Sequence, residues 1–173
     1  KSSKIKNKLL LIKNNGISSK KKYFSHLPGL NFRMTNIQAA IGYAQLKNFK
    51  FFSSKRNLIE SFYDKKLLIS KNFIKQKILK RSFKVEWLYT LILKNCNIGG
   101  LIKFLANKNI ETRRVFYPFH QMKIYKKYIP NKFNGTNSNF IFKYGISLPT
   151  FFELRKKDQK KVATEILTFL KKI

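Results

Sequence analysis

The apolar positions of this chain recur with helical period in some stretches and crowd into short β-forming runs in others. Ile5, Leu9 and Ile12 fall at helical spacing within residues 4–14, and Asn14-Asn15-Gly16 behind them is a helix-stop signal. Residues 18–28 are polar and predict a loop. From Thr35 a helical pattern runs towards Leu67 with no proline and no interior glycine except Gly42. Thr35 is a good N-cap, and Gln38 three positions later completes a Thr-x-x-Gln capping box. Ile37, Ala40, Ile41 and Ala44 make the first apolar face of that helix, and the small residues Ala39, Ala40, Gly42 and Ala44 would let another backbone approach closely. The pattern blurs over residues 47–54, where a bend is expected.

Further along, residues 85–93 (Val-Glu-Trp-Leu-Tyr-Thr-Leu-Ile-Leu) are rich in β-formers and predict a buried strand. Trp87 and Tyr89 within it are expected in the core. Gly99-Gly100 precedes a short helix with Leu101, Ile102, Leu105 and Ala106 apolar. Residues 110–117 predict a second strand, ended by Pro118. Strand, helix, strand is the pattern of a small α/β unit. A short helix is expected near residues 138–144, followed by the stretch 145–149. Residues 157–172 predict an amphipathic closing helix, with Val162, Ile166, Phe169 and Leu170 on one face. There is no internal repeat, and 173 residues with 43% hydrophobic content suffice for one domain with a real core.

Charge changes the picture only after it is examined by residue type. The chain carries 38 Lys plus Arg against 7 Asp plus Glu, a formal net charge of +31. Read literally, that balance suggests nucleic acid or an anionic membrane surface. Yet Lys, Ile, Phe and Asn together account for 84 of the 173 residues, and all four have codons written wholly or largely in A and T. The lysines are scattered over every segment, and arginine, the better residue for phosphate and base recognition, occurs only 6 times. We read the charge as composition bias, with no specific nucleic-acid site. The alternative is a non-catalytic basic protein that binds polyanions such as nucleic acid.

Against that background each arginine is a departure. Arg33 precedes the capped helix and Arg113 and Arg114 lie in the second strand, whereas Arg56, Arg81 and Arg155 are expected to lie along the surface. Glu60 and Asp64, at i,i+4 spacing among lysines, are expected as surface charges rather than as an acid/base pair. Cys96 is the only cysteine and His26 and His120 the only histidines, so neither a disulfide framework nor a dedicated metal site is expected. No apolar run approaches the roughly 18–20 residues of a membrane span, and nothing resembles a cleaved signal sequence. The expectation is a reduced, soluble, cytoplasmic protein. The chain opens on Lys1, as a piece cut from something longer would.

The densest signal is the run over residues 29–46, Gly-Leu-Asn-Phe-Arg-Met-Thr-Asn-Ile-Gln-Ala-Ala-Ile-Gly-Tyr-Ala-Gln-Leu. Asn31 and Arg33 stand just before the cap, two positions apart. In an extended stretch both side chains leave the same side of the backbone, and an amide donor beside a guanidinium fork suits an anion such as phosphate. The alternative for Asn31 is a turn amide bonded to its own backbone. This run closely resembles the DegT/StrS-type pyridoxal-phosphate-dependent nucleotide-sugar aminotransferases, whose pattern reads Gly-x-Asn-x-Arg-Met-Thr-Asn-x-Gln-Ala-Ala-x-Gly-x-x-Gln-Leu. Residues 87–90, the Ile110-Glu111-Thr112-Arg113 and Phe116-Tyr117-Pro118-Phe119-His120 segments, and residues 144–149 resemble later stretches of the same family in the same order. The Phe-Tyr-Pro-x-His form leans towards its perosamine synthases.

The resemblance implies an α/β fold, namely the C-terminal small domain of an aspartate-aminotransferase-like, fold type I transferase with its long linking helix, the large N-terminal domain being missing. Residues 1–34 would be the tail of the large domain with the cofactor-contact loop, residues 35–67 the linking helix, and residues 68–173 the small domain. The intact enzyme would use pyridoxal 5′-phosphate to move an amino group from glutamate to a nucleotide-linked keto-deoxy sugar for surface polysaccharide synthesis. The family's Schiff-base lysine would lie before Lys1, so no residue here is expected to be catalytic and the chain alone is expected to be inactive. Asn31 and Arg33 are implied at the cofactor phosphate of the other subunit. Tyr117, His120 and Arg113 are implied at the sugar side, with a satisfied loop histidine and an interface salt bridge as the alternatives for the latter two. A homodimer is implied, or a complement to a separate N-terminal half.

Overall fold

The protein is described by a computed structural model, which covers residues 2–17, 24–82 and 84–172. Contacts divide the chain into two compact units, Lys1–Phe49 and Lys50–Ile173.

The first unit holds helix α1 (Ser3–Ile12) and helix α2 (Asn36–Lys47). Helix α1 ends where the stop signal predicts, because Asn15 and Gly16 both adopt positive φ, 55° and 73°. The chain then returns along the helix end. Leu30 N–H donates to Ile12 O at 2.8 Å, Phe32 N–H to Lys13 O at 3.0 Å and Asn15 N–H to Leu30 O at 3.2 Å. Asn14 and Asn31 form an antiparallel bridge. The loop expected over 18–28 lies outside the described residues as far as position 23. Helix α2 carries the capping box, with Gln38 N–H donating to Thr35 Oγ1 at 3.2 Å and Thr35 N–H to Gln38 Oε1 at 2.8 Å. The helical run expected over 35–67 is interrupted at Asn48, inside the stretch where the pattern blurs. There the backbone N–H turns to Gln45 O at 3.1 Å and the side-chain amide donates to Ala44 O at 3.0 Å, a local bond that competes with the next helical turn.

The second unit is built on a four-stranded, wholly antiparallel sheet in the order β1-β2-β4-β3. Its elements are α3 (Phe49–Leu67), β1 (Phe73–Lys75), β2 (Tyr89–Leu93), α4 (Ile98–Ala106), β3 (Arg113–Arg114), α5 (Thr136–Tyr144), β4 (Gly145–Leu148) and α6 (Lys156–Leu170). Tyr89 pairs with Leu148 and Leu91 with Ile146, while Arg113 pairs with Ser147. Tyr89, Leu91 and Leu93 of β2 are buried and alternate with half-buried Thr90 and Ile92. The buried set joins Ile59, Tyr63 and Leu67 of α3, Leu101 and Leu105 of α4, and Val162, Ala163 and Ile166 of α6 in one core. Helices α4 and α6 pack together, and α5 packs against β2 and β4.

Two predicted strands are shorter than their apolar runs. Residues 85–88 do not join β2, since Trp87 N–H bonds back to Val85 O at 3.0 Å and the Thr150 hydroxyl accepts from Tyr89 N–H at 2.9 Å, closing the ladder. Trp87 is accordingly exposed rather than core, while Tyr89 is fully buried. The strand expected over 110–117 shrinks to Arg113–Arg114, a short charged edge that gives other chains little to pair with.

The carboxylates at positions 60 and 64 are not the surface charges their spacing suggests. Lys75 Nζ bonds Glu60 and lies 2.6 Å from Asp64 Oδ2, and Tyr89 Oη donates to Asp64 Oδ1 at 2.7 Å. Lys84 Nζ lies 3.2 Å from Glu60 Oε1 and 2.5 Å from the fully buried Glu86. This network ties β1 and residues 84–86 to α3. Burial pushes the Glu86 carboxyl up from its ordinary range, against the pull of Lys84. Burial lowers Lys75, but its bonds to Asp64 and Glu60 outweigh that and raise it overall.

Candidate functional site

The sequence-predicted residues fall in both units, Asn31 and Arg33 in the first and Arg113, Tyr117 and His120 in the second. Asn31 Oδ1 accepts from Arg33 N–H at 3.3 Å, the turn-type bond that was the plainer expectation for it. That bond uses the amide oxygen and leaves its NH2 group without a partner among the described residues. Arg33 Nη1 donates to Asn14 Oδ1 at 3.4 Å, a bond that steadies the guanidinium against the end of α1 without neutralising it. Both residues are exposed. The arrangement is a tethered loop, ahead of a capped helix, that presents an amide and a guanidinium as donors. Those residues fit a phosphate.

In the second unit, the alternation of β3 sends its two arginines to different partners. Arg114 Nη1 donates to Phe142 O at 3.2 Å and sits over the Phe142 ring at 5.3 Å. It thereby meets the carbonyl end of α5, where a cation is favoured. Tyr117 packs on the same ring, 4.5 Å between centroids. His120 Nε2–H donates to Asn139 Oδ1 at 2.9 Å, and Gln121 Nε2 donates to the same oxygen. An amide oxygen there is met by Nε2–H, and Nδ1 has no partner among the described residues. A Cβ on Gly135 would stand 2.4 Å from His120 Nε2, so a side chain at position 135 would displace the imidazole.

Helix α5 thus gathers Arg114, Tyr117 and His120. Arg113 does not stand with them. It pairs with Glu111 at 3.0 Å, both side chains largely exposed, and lines a separate cleft of about 580 Å3. Sequence reasoning passed over Asn139 and gave Arg114 no role. The two-residue period of a strand carried the signal for Arg114, because neighbours on β3 must face opposite ways. Asn139 had no comparable signal, since its bond to His120 closes over 19 residues that run through two 3-10 helices, Phe119–Gln121 and Lys123–Tyr128.

The sequence model of the DegT/DnrJ/EryC1/StrS aminotransferase family matches residues 1–167. The GDP-perosamine synthase of Vibrio cholerae is 34% identical over 148 residues, which cover 83% of this chain and 40% of that protein. Among solved structures, Helicobacter pylori PseC, described as an aminotransferase involved in the biosynthesis of pseudoaminic acid, superposes with a TM-score of 0.84 at 22% identity, over 99% of this chain and 47% of that one. The PLP form of Streptococcus pneumoniae Spr1654 superposes at 0.81 and 19% identity, over 98% and 44%. The structural likenesses establish the fold, and the chain spans less than half the length of each of these relatives.

Proposed function

This chain belongs to the DegT/DnrJ/EryC1/StrS aminotransferase family, and from that premise we propose that it is the C-terminal portion of a sugar aminotransferase that moves an amino group from glutamate to a nucleotide-linked keto-deoxy sugar in the cytoplasm. Its residues 1–34 end the large domain, residues 35–67 link, and residues 68–173 form the small domain. A GDP-linked precursor of perosamine is the substrate favoured by the Vibrio cholerae relative. Pyridoxal phosphate supplies the electron sink of the reaction when bound.

The observation that carries this reading is the loop at Asn31 and Arg33. Its backbone is tied to the end of α1, its helix is capped, and its free donors suit the cofactor phosphate. Their natural target is the cofactor of a second subunit, because helix α2 behind them has no buried residue and leaves Ile37, Ile41, Tyr43 and Leu46 exposed. An uncovered apolar face of that kind is what a dimer interface conceals. His120, held in its Nε2–H form, offers Nδ1 to a sugar hydroxyl, and Tyr117 braced on Phe142 flanks it. Arg113 remains available to an anionic group of the substrate if Glu111 releases it.

The test joins this chain to the N-terminal part of the Vibrio cholerae relative and supplies glutamate with a GDP-linked keto-deoxy sugar. Amino-sugar formation by the chimera, with none by the 173-residue chain alone, is the expected result. Turnover by the chain alone, well above that of free cofactor, would overturn the reading.

A further inference from the structure

Arginine is scarce in this lysine-rich chain, yet three of its six arginines, Arg56, Arg113 and Arg155, line a single cleft of about 580 Å3 among the described residues of the second unit, the one noted above at Arg113. That volume lies within the roughly 300–1,000 Å3 of small-molecule sites. Arg113 and Arg155 each face a carboxylate, Glu111 at 3.0 Å and Asp158 at 2.8 Å. Arg56 and Lys161, on the same walls, have no carboxylate partner among the described residues. Lys161 Nζ donates only to the Lys108 carbonyl, at 2.8 Å. The Nε of Arg56 is shut off from solvent and bonds nothing, and so is the Thr112 hydroxyl, which lines the cleft too. Buried donors in native proteins are nearly always satisfied, and exceptions point to a group that is not yet in place.

We propose that this cleft is a phosphate-binding site. Its charged side chains leave an excess of two positive charges, and a phosphate ester carries close to two negative ones near neutral pH with three strong acceptor oxygens. The guanidinium forks match that acceptor geometry, and the sealed Thr112 hydroxyl joins them as a neutral donor once the bound ester parts its cover. Trp87, exposed and stacked on Phe116 at 6.2 Å and 24°, lines the same cleft and offers a flat apolar surface. A planar ring carried by the phosphate would rest there. Tyr117 and His120 do not line this cleft, and the inference stands without the aminotransferase reading.

Trp87 is the only tryptophan of the chain, so its fluorescence reports on the cleft directly. The 173-residue protein is titrated with inorganic phosphate, pyrophosphate and GMP in about 0.15 M salt, where diffuse attraction to a polycation is screened. A saturable change is expected, with affinity lowered at least about tenfold by Arg56→Gln, as for a lost charge-assisted hydrogen bond. Thr112→Val should weaken it several-fold and Arg81→Gln should leave it intact. GMP binding tighter than inorganic phosphate would identify an ester whose ring uses Trp87, and equal binding would identify phosphate alone. If Arg56→Gln does not fold, Lys161→Gln, an exposed position, carries the comparison with the same expected direction. A response that never saturates with any probe, or that Arg81→Gln weakens as much as the cleft variants do, would overturn the proposal.

Discussion

The two units handle their apolar residues in opposite ways. In the second, Tyr63, Leu101, Leu105 and Ile146 are fully buried in one core shared by sheet and helices. In the first, Ile37 is 74% and Leu46 70% exposed, and among the described residues none of the buried apolar core precedes Ile59. Both units form regular helices with good caps, so local sequence signals do not separate them. What separates them is where the apolar face finds its cover. The second unit covers its own, while the first has one proposed partner, a second subunit, and places the phosphate-suited loop beside that face. On the proposed reading, stability and cofactor contact are therefore carried by different parts of the chain.

The largest expected effect follows from that contrast. Leu105→Ala, at a site with no exposed surface, should cost about 2–5 kcal/mol in urea unfolding, whereas Ile41→Ala on α2 should change the unfolding of the isolated chain by less than about 0.5 kcal/mol. A comparable cost at both positions would erase the distinction. Next comes the ion network. Lys75→Met takes the shared cation from half-buried Glu60 and Asp64, leaving them only Lys84 and the Tyr89 hydroxyl, and should cost about 1.5–3 kcal/mol. Glu86→Gln works the other way. Because burial raises the Glu86 carboxyl, the folded state holds its proton more tightly than the unfolded chain. Its contribution is thus full below about pH 4.3 and is lost as pH rises through the raised value. Glu86→Gln should flatten that part of the stability–pH curve, and an unchanged slope would mean the carboxyl is not desolvated. The smallest effect is Thr35→Ala, which removes the cap of α2 and should cost about 1 kcal/mol, read as faster amide exchange in α2 alone.

Much of this was legible in the sequence, and the reasons differ by element. The capping box at Thr35 and the stop at Asn15-Gly16 depend on neighbouring residues only, so their signals survive in any tertiary context. Helices α4 and α6 were legible because each carries a full apolar stripe. Strand β1, by contrast, is three residues long, too short for a period to show. The extent of β2 was overread because a side chain, Thr150, and a tight turn at Trp87 end the ladder, and neither can be seen in a run of β-formers. Glu60 and Asp64 were misplaced for a related reason: i,i+4 spacing shows which helix face they share, but not that Lys75 and Lys84 would cover it. At the candidate site, the residues were implied by the family resemblance, while the separation of Arg113 from Tyr117 and His120 required the strand's register. The cleft beside Arg56 was invisible, since it assembles residues from five separated stretches of chain.

The central claim is that Asn31 and Arg33 serve a cofactor phosphate, and cofactor retention tests it most directly. In the chimera with the Vibrio cholerae N-terminal part, pyridoxal phosphate remaining after extended dialysis is measured by absorbance for Asn31→Ala, Arg33→Ala and, as a surface control, Arg81→Ala. Each motif variant should lose affinity about tenfold to a hundredfold, as expected for one hydrogen bond to a charged group, and the control should match the parent. Retention by both motif variants as firm as in the control would contradict the account and leave the loop as no more than the entry to a capped helix.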